Sequence, residues 1–212
     1  LDSPIENTIA AEQSSLLLSF QLLLANYLYG MNGRPWKEIE NPKFICPTPG
    51  FDRHFKMLEE FGIQMLPVPL VGDGVDLVEL EDILDKHTDI VGIISVPRHS
   101  NPSGDIYSDN NLLKIFELCS NYSEDLVFLF DHAYLIHDLS SAPQQSSTWS
   151  LAEQANVIDQ TAILTSFSKV TFGGGGLSFF AGGESTLALI KKISASMILC
   201  PDKVSQLRHV TL

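Results

Sequence analysis

Residues 126–134 read Leu126-Val127-Phe128-Leu129-Phe130-Asp131-His132-Ala133-Tyr134: an unbroken apolar run that gives way at once to polar side chains. A run this short, apolar and bounded reads as a strand covered on both faces. Similar runs stand at Phe44-Ile45-Cys46, Met65 to Val68, Ile90 to Val96 and Ala162 to Leu164. Helical spacing fills the gaps between them. Phe55, Leu58, Glu59 and Phe61 follow Asp52, and Leu77, Leu80, Ile83 and Leu84 follow Asp76. Leu112, Leu113, Phe116 and Cys119 follow a cap at Ser108, and Leu187, Ile190 and Ile193 follow Glu184. A strand buried on both faces needs cover on both, and alternation with helices supplies it. The pattern predicts one three-layer α/β/α domain with a mostly parallel central sheet. A first helix, Ser14 to Tyr29, is apolar nearly all round, which suits the interior or a subunit interface. Ser140 to Ser150, rich in Ser, Gln and Pro, reads as a surface loop.

The 212 residues are 44% hydrophobic and 18% charged, enough for a sizeable core. With 26 acidic and 13 basic residues the formal charge is −13, a surface that repels phosphate backbones and anionic lipid. Nucleic acid and membranes are therefore not expected partners. Leu16 to Tyr29 is too short and too interrupted to span a bilayer. Cys46, Cys119 and Cys200 are odd in number and form no CxxC pair, which argues against disulfides and structural zinc and for a reducing cytoplasm. The chain opens on Leu1 rather than Met, so it is expected to be a piece of a longer one.

Ligands in doubly wound sheets bind beyond the carboxyl ends of strands. The residues just past each apolar run are therefore the place to look for chemistry. Ile90–Val96 leads into Asn101-Pro102-Ser103-Gly104, Leu126–Phe130 into Asp131-His132-Ala133-Tyr134, and Ala162–Leu164 into Ser166-Phe167-Ser168-Lys169 and then four glycines, Gly173 to Gly176. Taken singly, the first is an ordinary turn, Asp131 a helix cap and Lys169 a solvated side chain. Taken in this order, each at a strand end, they describe a site.

That order resembles the class I aminotransferases of the fold-type I pyridoxal phosphate enzymes. Pro49-Gly50-Phe51-Asp52-Arg53-His54-Phe55 and Pro201-Asp202-Lys203-Val204-Ser205-Gln206-Leu207-Arg208-His209 are similar to the MocR-type subgroup, to which aspartate aminotransferase activity is assigned. The resemblance runs from about Ile9 to the last residue. It implies that residues 1–212 are the cofactor-binding large domain, with the small domain missing, of a homodimeric enzyme. That enzyme would move an amino group from an amino acid such as aspartate to a 2-oxo acid.

The resemblance also assigns roles. Lys169 is the Schiff-base lysine and proton shuttle, an amine that must be neutral in part near working pH. Asp131 keeps the ring nitrogen protonated, so that the ring acts as an electron sink. Tyr134 and Asn101 hydrogen-bond the phenolic oxygen. Phe51 either stacks on the ring or is a core residue. Gln13, Ser14 and Ser15 fall at the phosphate turn, where simple capping explains the two serines equally well, and Ser166 and Ser168 offer hydroxyls.

Three departures bear on this assignment. Position 177, eight after the lysine, where most class I enzymes carry a phosphate-clamping arginine, is Leu177. The phosphate turn has Ala11-Glu12 in place of glycine, and a carboxylate there would be unfavourable near a phosphate unless it points away. No residue up to Leu212 takes the role of the arginine that binds the substrate carboxylate. The chain alone is therefore expected to bind cofactor weakly or not at all and to turn over nothing, since its site cannot close.

His99, His132 and His137 lack metal-ligand spacing, so no metal is expected. His132 and His54 either line the cofactor pocket or, the preferred reading, are packed neutral side chains, and Cys200 reads as an unactivated thiol. The alternatives are another fold-type I enzyme (a β-lyase or decarboxylase), a non-catalytic cofactor sensor, or a truncated relative with only an interaction role.

Overall fold

The computed structural model describes every residue of the chain except Glu12 and Ser140. The question raised by Glu12 therefore lies outside the described residues. Seven strands form one sheet in the order β1-β7-β6-β5-β4-β2-β3. They are β1 (Thr8–Ala11), β2 (Lys43–Thr48), β3 (Gln64–Pro69), β4 (Ile90–Ser95), β5 (Val127–Asp131), β6 (Thr161–Ser166) and β7 (Ser178–Gly182). The five apolar runs are the five strands β2 to β6, and neighbours among them pair in parallel. Strands β7 and β1 add an antiparallel edge that the alternation of strand and helix does not announce.

Helices cover both faces. On one lie α1 (Ser15–Leu28), α2 (Asp52–Glu60) and α6 (Glu184–Met197), which pack Leu18, Leu22, Leu58, Leu187 and Ile190 against Phe44, Leu129 and Leu164. On the other lie α3 (Leu77–Lys86), α4 (Asp109–Tyr122) and α5 (Thr148–Gln154), which pack Leu80, Phe116 and Leu151 against Ile45, Phe128 and Phe130. Phe116 meets Phe128 and Phe130 edge-on, with ring centroids 5.0 and 5.5 Å apart. This is the expected three-layer domain with a mostly parallel sheet.

Local chemistry sets where the helices begin. Ser14 Oγ accepts from Leu17 N at 3.4 Å to cap α1, Asp76 Oδ1 accepts from Val78 N and Glu79 N to cap α3, and Ser108 caps α4 through Asn111 N. Interior polar residues of α1 return their hydrogens to the helix: Ser19 Oγ donates to Ser15 O and Asn26 Nδ2 to Leu22 O, both at 3.0 Å. That lets α1 sit against the sheet and α6 despite Ser19 and Asn26. No helix among the described residues is long and apolar enough to cross a membrane.

One expectation needs correction, and one further helix appears. The segment 140–150 is not loop throughout, because α5 starts at Thr148, capped by Ser147 Oγ accepting from Ser150 N. Its polar start hides Trp149, Leu151 and Ala152, all buried. Beyond α6 the chain forms a further helix, α7 (Lys203–Val210), started by Asp202, whose carboxylate accepts from Val204 N and Ser205 N.

Candidate active site

Strand periodicity builds the site. Along β5, Val127 and Leu129 face the α1 side, and Phe128 and Phe130 the α4 side. The two-residue period therefore sends Asp131 toward α1 and α2 and His132 the opposite way. The contacts agree: Asp131 Oδ2 lies 3.1 Å from His54 Nε2 in α2, while His132 Nε2 lies 2.8 Å from Thr148 Oγ1 in α5. Along β6, Ala162 and Leu164 face α1, so Ser166 emerges on the side of Asp131. Asp131 thus ends a strand and caps no helix.

Between these strand ends and the start of α1 lies a cavity of about 250 Å³. Its wall brings together Ser14 and Ser15 from the start of α1, Phe51 from the start of α2, and Asn101 from the turn after β4. Asp131 and Tyr134 come from the end of β5, and Ser166, Ser168 and Lys169 from the end of β6. Gln13 is the sequence-predicted residue that does not line it; its carbonyl instead accepts a short hydrogen bond from Ser168 Oγ. Asn101 Nδ2 donates to Tyr134 Oη at 3.4 Å. Phe51 stands edge-on to His54, centroids 5.2 Å apart, so it is neither lost in the core nor free. Ser14 both caps α1 and lines the cavity. Lys169 is exposed, in the turn that follows β6.

Two observations bear on a cofactor. Asp131 is 3% exposed, and its Oδ1 is buried with no hydrogen-bond partner among the described residues. Such an atom costs free energy unless something donates to it, and a protonated pyridine nitrogen would. The amides of Ser15 and Leu16, ahead of the hydrogen-bond ladder of α1, belong to residues of the same cavity wall and suit an anion. The residues present fit pyridoxal phosphate.

The sequence reads His54 as packing, yet it is the partner that orients Asp131. A signal is there: Phe51 and His54 are three apart at a helix start, and so share one face. His132 lies outside this cavity. Burial pushes its imidazole down to about 4, as befits a packed neutral ring. The turn bearing Asn101 is anchored by Asp138, whose Oδ1 and Oδ2 accept from Arg98 Nε and Nη2 at 3.2 and 2.5 Å, and whose Oδ1 also meets His99 Nε2 at 2.7 Å. Those hydrogen bonds, Arg98 first and then His99, hold the Asp138 carboxyl below its ordinary range. Burial pushes the Cys46 thiol up to about 12, leaving it unreactive.

A sheet of this order, with a lysine and a carboxylate at neighbouring strand ends, is the aminotransferase architecture. A crystal structure of an aspartate transaminase from Corynebacterium glutamicum superposes with a TM-score of 0.90 at 32% identity, over 97% of this chain and 49% of that one. The sequence model of the aspartate amino-transferase family matches residues 1–212, and the chain belongs to that family. It is 32% identical over 212 residues to the aspartate aminotransferase of Corynebacterium glutamicum, covering 99% of this chain and 49% of that protein. A pyridoxal phosphate-bound C-S lyase from Staphylococcus hominis shares the fold alone, with a TM-score of 0.76 at 13% identity over 97% of this chain and 49% of that one. The chain spans about half the length of the curated relatives it matches.

Proposed function

We propose that residues 1–212 are the cofactor-binding large domain of a pyridoxal phosphate-dependent aminotransferase of the MocR-type subgroup. The protein acts on an amino acid such as aspartate and on a 2-oxo acid, as a homodimer in the cytoplasm. The observation that carries this reading is the unpartnered Oδ1 of buried Asp131 in the same cavity wall as Lys169. Family membership over the whole chain supports it. The unpaired thiols of Cys46, Cys119 and Cys200 suit a reducing compartment.

When bound, pyridoxal phosphate supplies an electron sink for the bonds at the substrate Cα. Lys169 Nζ would be the attachment point for the cofactor and the group that holds the substrate Cα proton. Asp131 Oδ1 would accept from the ring nitrogen, while His54 Nε2 fixes the other oxygen, so the carboxylate cannot swing away. Tyr134 Oη and Asn101 Nδ2, already in contact with one another, converge on the phenolic oxygen. Phe51, in the cavity wall, would cover a ring face. The start of α1, with the amides of Ser15 and Leu16 and the hydroxyls of Ser14, Ser15 and Ser166, would hold the phosphate, whereas the Ser168 hydroxyl already donates to Gln13 O.

The test uses the full-length protein loaded with pyridoxal phosphate and supplied with aspartate and 2-oxoglutarate. Glutamate and oxaloacetate formed in equal amounts is the expected result. Because the same fold serves a C-S lyase, the products decide the reaction class. Carbon dioxide released with alanine or β-alanine would replace transamination by decarboxylation, and ammonia released without glutamate would replace it by elimination.

A further inference from the structure

The proposed cofactor ends in a phosphate monoester, with a charge of about −1.5 to −2 near neutral pH. Among the described residues the cavity wall holds one cationic side chain, Lys169, and one carboxylate, Asp131. The lysine is committed to attachment, and the start of α1 offers the equivalent of about half a positive charge. The hydroxyl hydrogen of Ser168 is taken by the Gln13 carbonyl. Leu177 packs in the interior and brings no charge. The anion is left short of roughly one positive charge.

Three arginines compare: Arg53 in the first turn of α2, its Nε 4.0 Å from Asp52 Oδ2, Arg98 after β4, and Arg208 on α7. Arg98 is closed off by its two-pronged pairing with Asp138. Arg208 forms no ion pair and no hydrogen bond through its guanidinium among the described residues. Its guanidinium carbon lies 5.2 Å from the centroid of the Phe172 ring, and its Nη1 would stand 3.2 Å from a Cβ built on Gly175. It therefore rests against the glycine loop whose first member, Gly173, lines the cavity. A Cβ on Gly173 or Gly174 would meet nothing within 4 Å, so the loop is open at those two positions.

The next residue fixes this placement. His209 Nδ1 donates to Ser205 O at 2.7 Å, and its Nε2 meets Thr171 Oγ1 at 2.8 Å. Its ring lies on that of Phe167, centroids 6.0 Å apart and planes 23° apart. The last turns of α7 are thereby fastened to the Phe167–Thr171 turn that carries Lys169. One docking contact positions both the attachment amine and a spare guanidinium.

We propose that Arg208, held by α7 against the Gly173–Gly176 loop, is the cation that binds the cofactor phosphate in this protein. The proposal rests on the pyridoxal phosphate reading. Its fork of donors matches phosphate oxygens in a way that a lone hydroxyl does not.

The test titrates the full-length apoprotein with pyridoxal phosphate and, separately, with pyridoxal, which lacks the phosphate, following protein fluorescence. Arg208→Ala should weaken pyridoxal phosphate binding about 10- to 100-fold and change pyridoxal binding less than about twofold, and Arg208→Lys should recover part of the loss. Equal weakening toward both ligands, or none toward either, overturns the role of Arg208 while leaving the cofactor assignment standing. Wild-type protein that is folded yet binds neither ligand overturns both.

Discussion

Removing the imidazole at position 54 should destabilise the protein through Asp131 rather than through lost packing. The carboxylate is 3% exposed, and its hydrogen bond to His54, at 3.1 Å, joins two side chains that are both out of water. A hydrogen bond to a charged group contributes about 1.5–3 kcal/mol, and stripping one partner from a buried pair costs up to about 3–5 kcal/mol. His54→Phe keeps a ring edge for Phe51, whose centroid is now 5.2 Å away, so most of the apolar contact survives and the polar loss dominates. The expected destabilisation is about 2–3 kcal/mol, which for a domain of this size lowers Tm by roughly 4–12 °C. Calorimetry on the full-length apoprotein measures it, and a double-mutant cycle with Asp131→Asn isolates the pair. A coupling energy of about 1–3 kcal/mol is expected. A coupling within the roughly 0.3–0.5 kcal/mol seen for independent sites would refute the claim that His54 acts through Asp131.

Three further outcomes rest on single residues. His132 titrates near 4 in the folded protein because it is buried, against about 6.5 when unfolded. Its contribution is therefore intact above pH ~6.5 and is lost as pH falls toward ~4, by up to about 3 kcal/mol; urea unfolding of His132→Gln should show a shallower acid decline than wild type, and equal slopes would contradict this. A Cβ on Gly176 would stand 2.6 Å from both Gln13 O and Ser168 Oγ, whereas one on Gly173 meets nothing within 4 Å. Gly176→Ala should thus weaken cofactor binding by prising the lysine turn from the start of α1 while Gly173→Ala leaves it near wild type, and titration of the two variants compares them. Phe116→Ala, which empties the junction with Phe128 and Phe130, should cost about 3–5 kcal/mol in denaturant unfolding.

Strands buried on both faces are legible because their composition has no competing explanation, and β2 to β6 stand out as apolar runs alone. The antiparallel edge does not. Ser178–Gly182 comes after a glycine run, and Thr8–Ala11 is four partly buried residues with no contrast between faces. Helix α7 does carry a signal, the Asp202 cap followed by Val204, Leu207 and Val210 at three-residue spacing, but those apolar residues are exposed rather than turned to the core. Within the site, residues carried by strand ends are legible because a two-residue period fixes which way Asp131 and Ser166 point. His54 and Arg208 arrive from helices, and their relation to the cavity depends on how those helices dock. Spacing along the chain says nothing about docking until the fold is known.

Lys169 and Asp131 share one cavity wall, and Lys169 is proposed to be the cofactor's attachment point. Borohydride reduction of the full-length protein loaded with pyridoxal phosphate, followed by peptide mass spectrometry, addresses it most directly. The account predicts the added mass on the peptide containing Lys169 and none in Lys169→Ala. Labelling of a different lysine, or undiminished labelling in that variant, would contradict it.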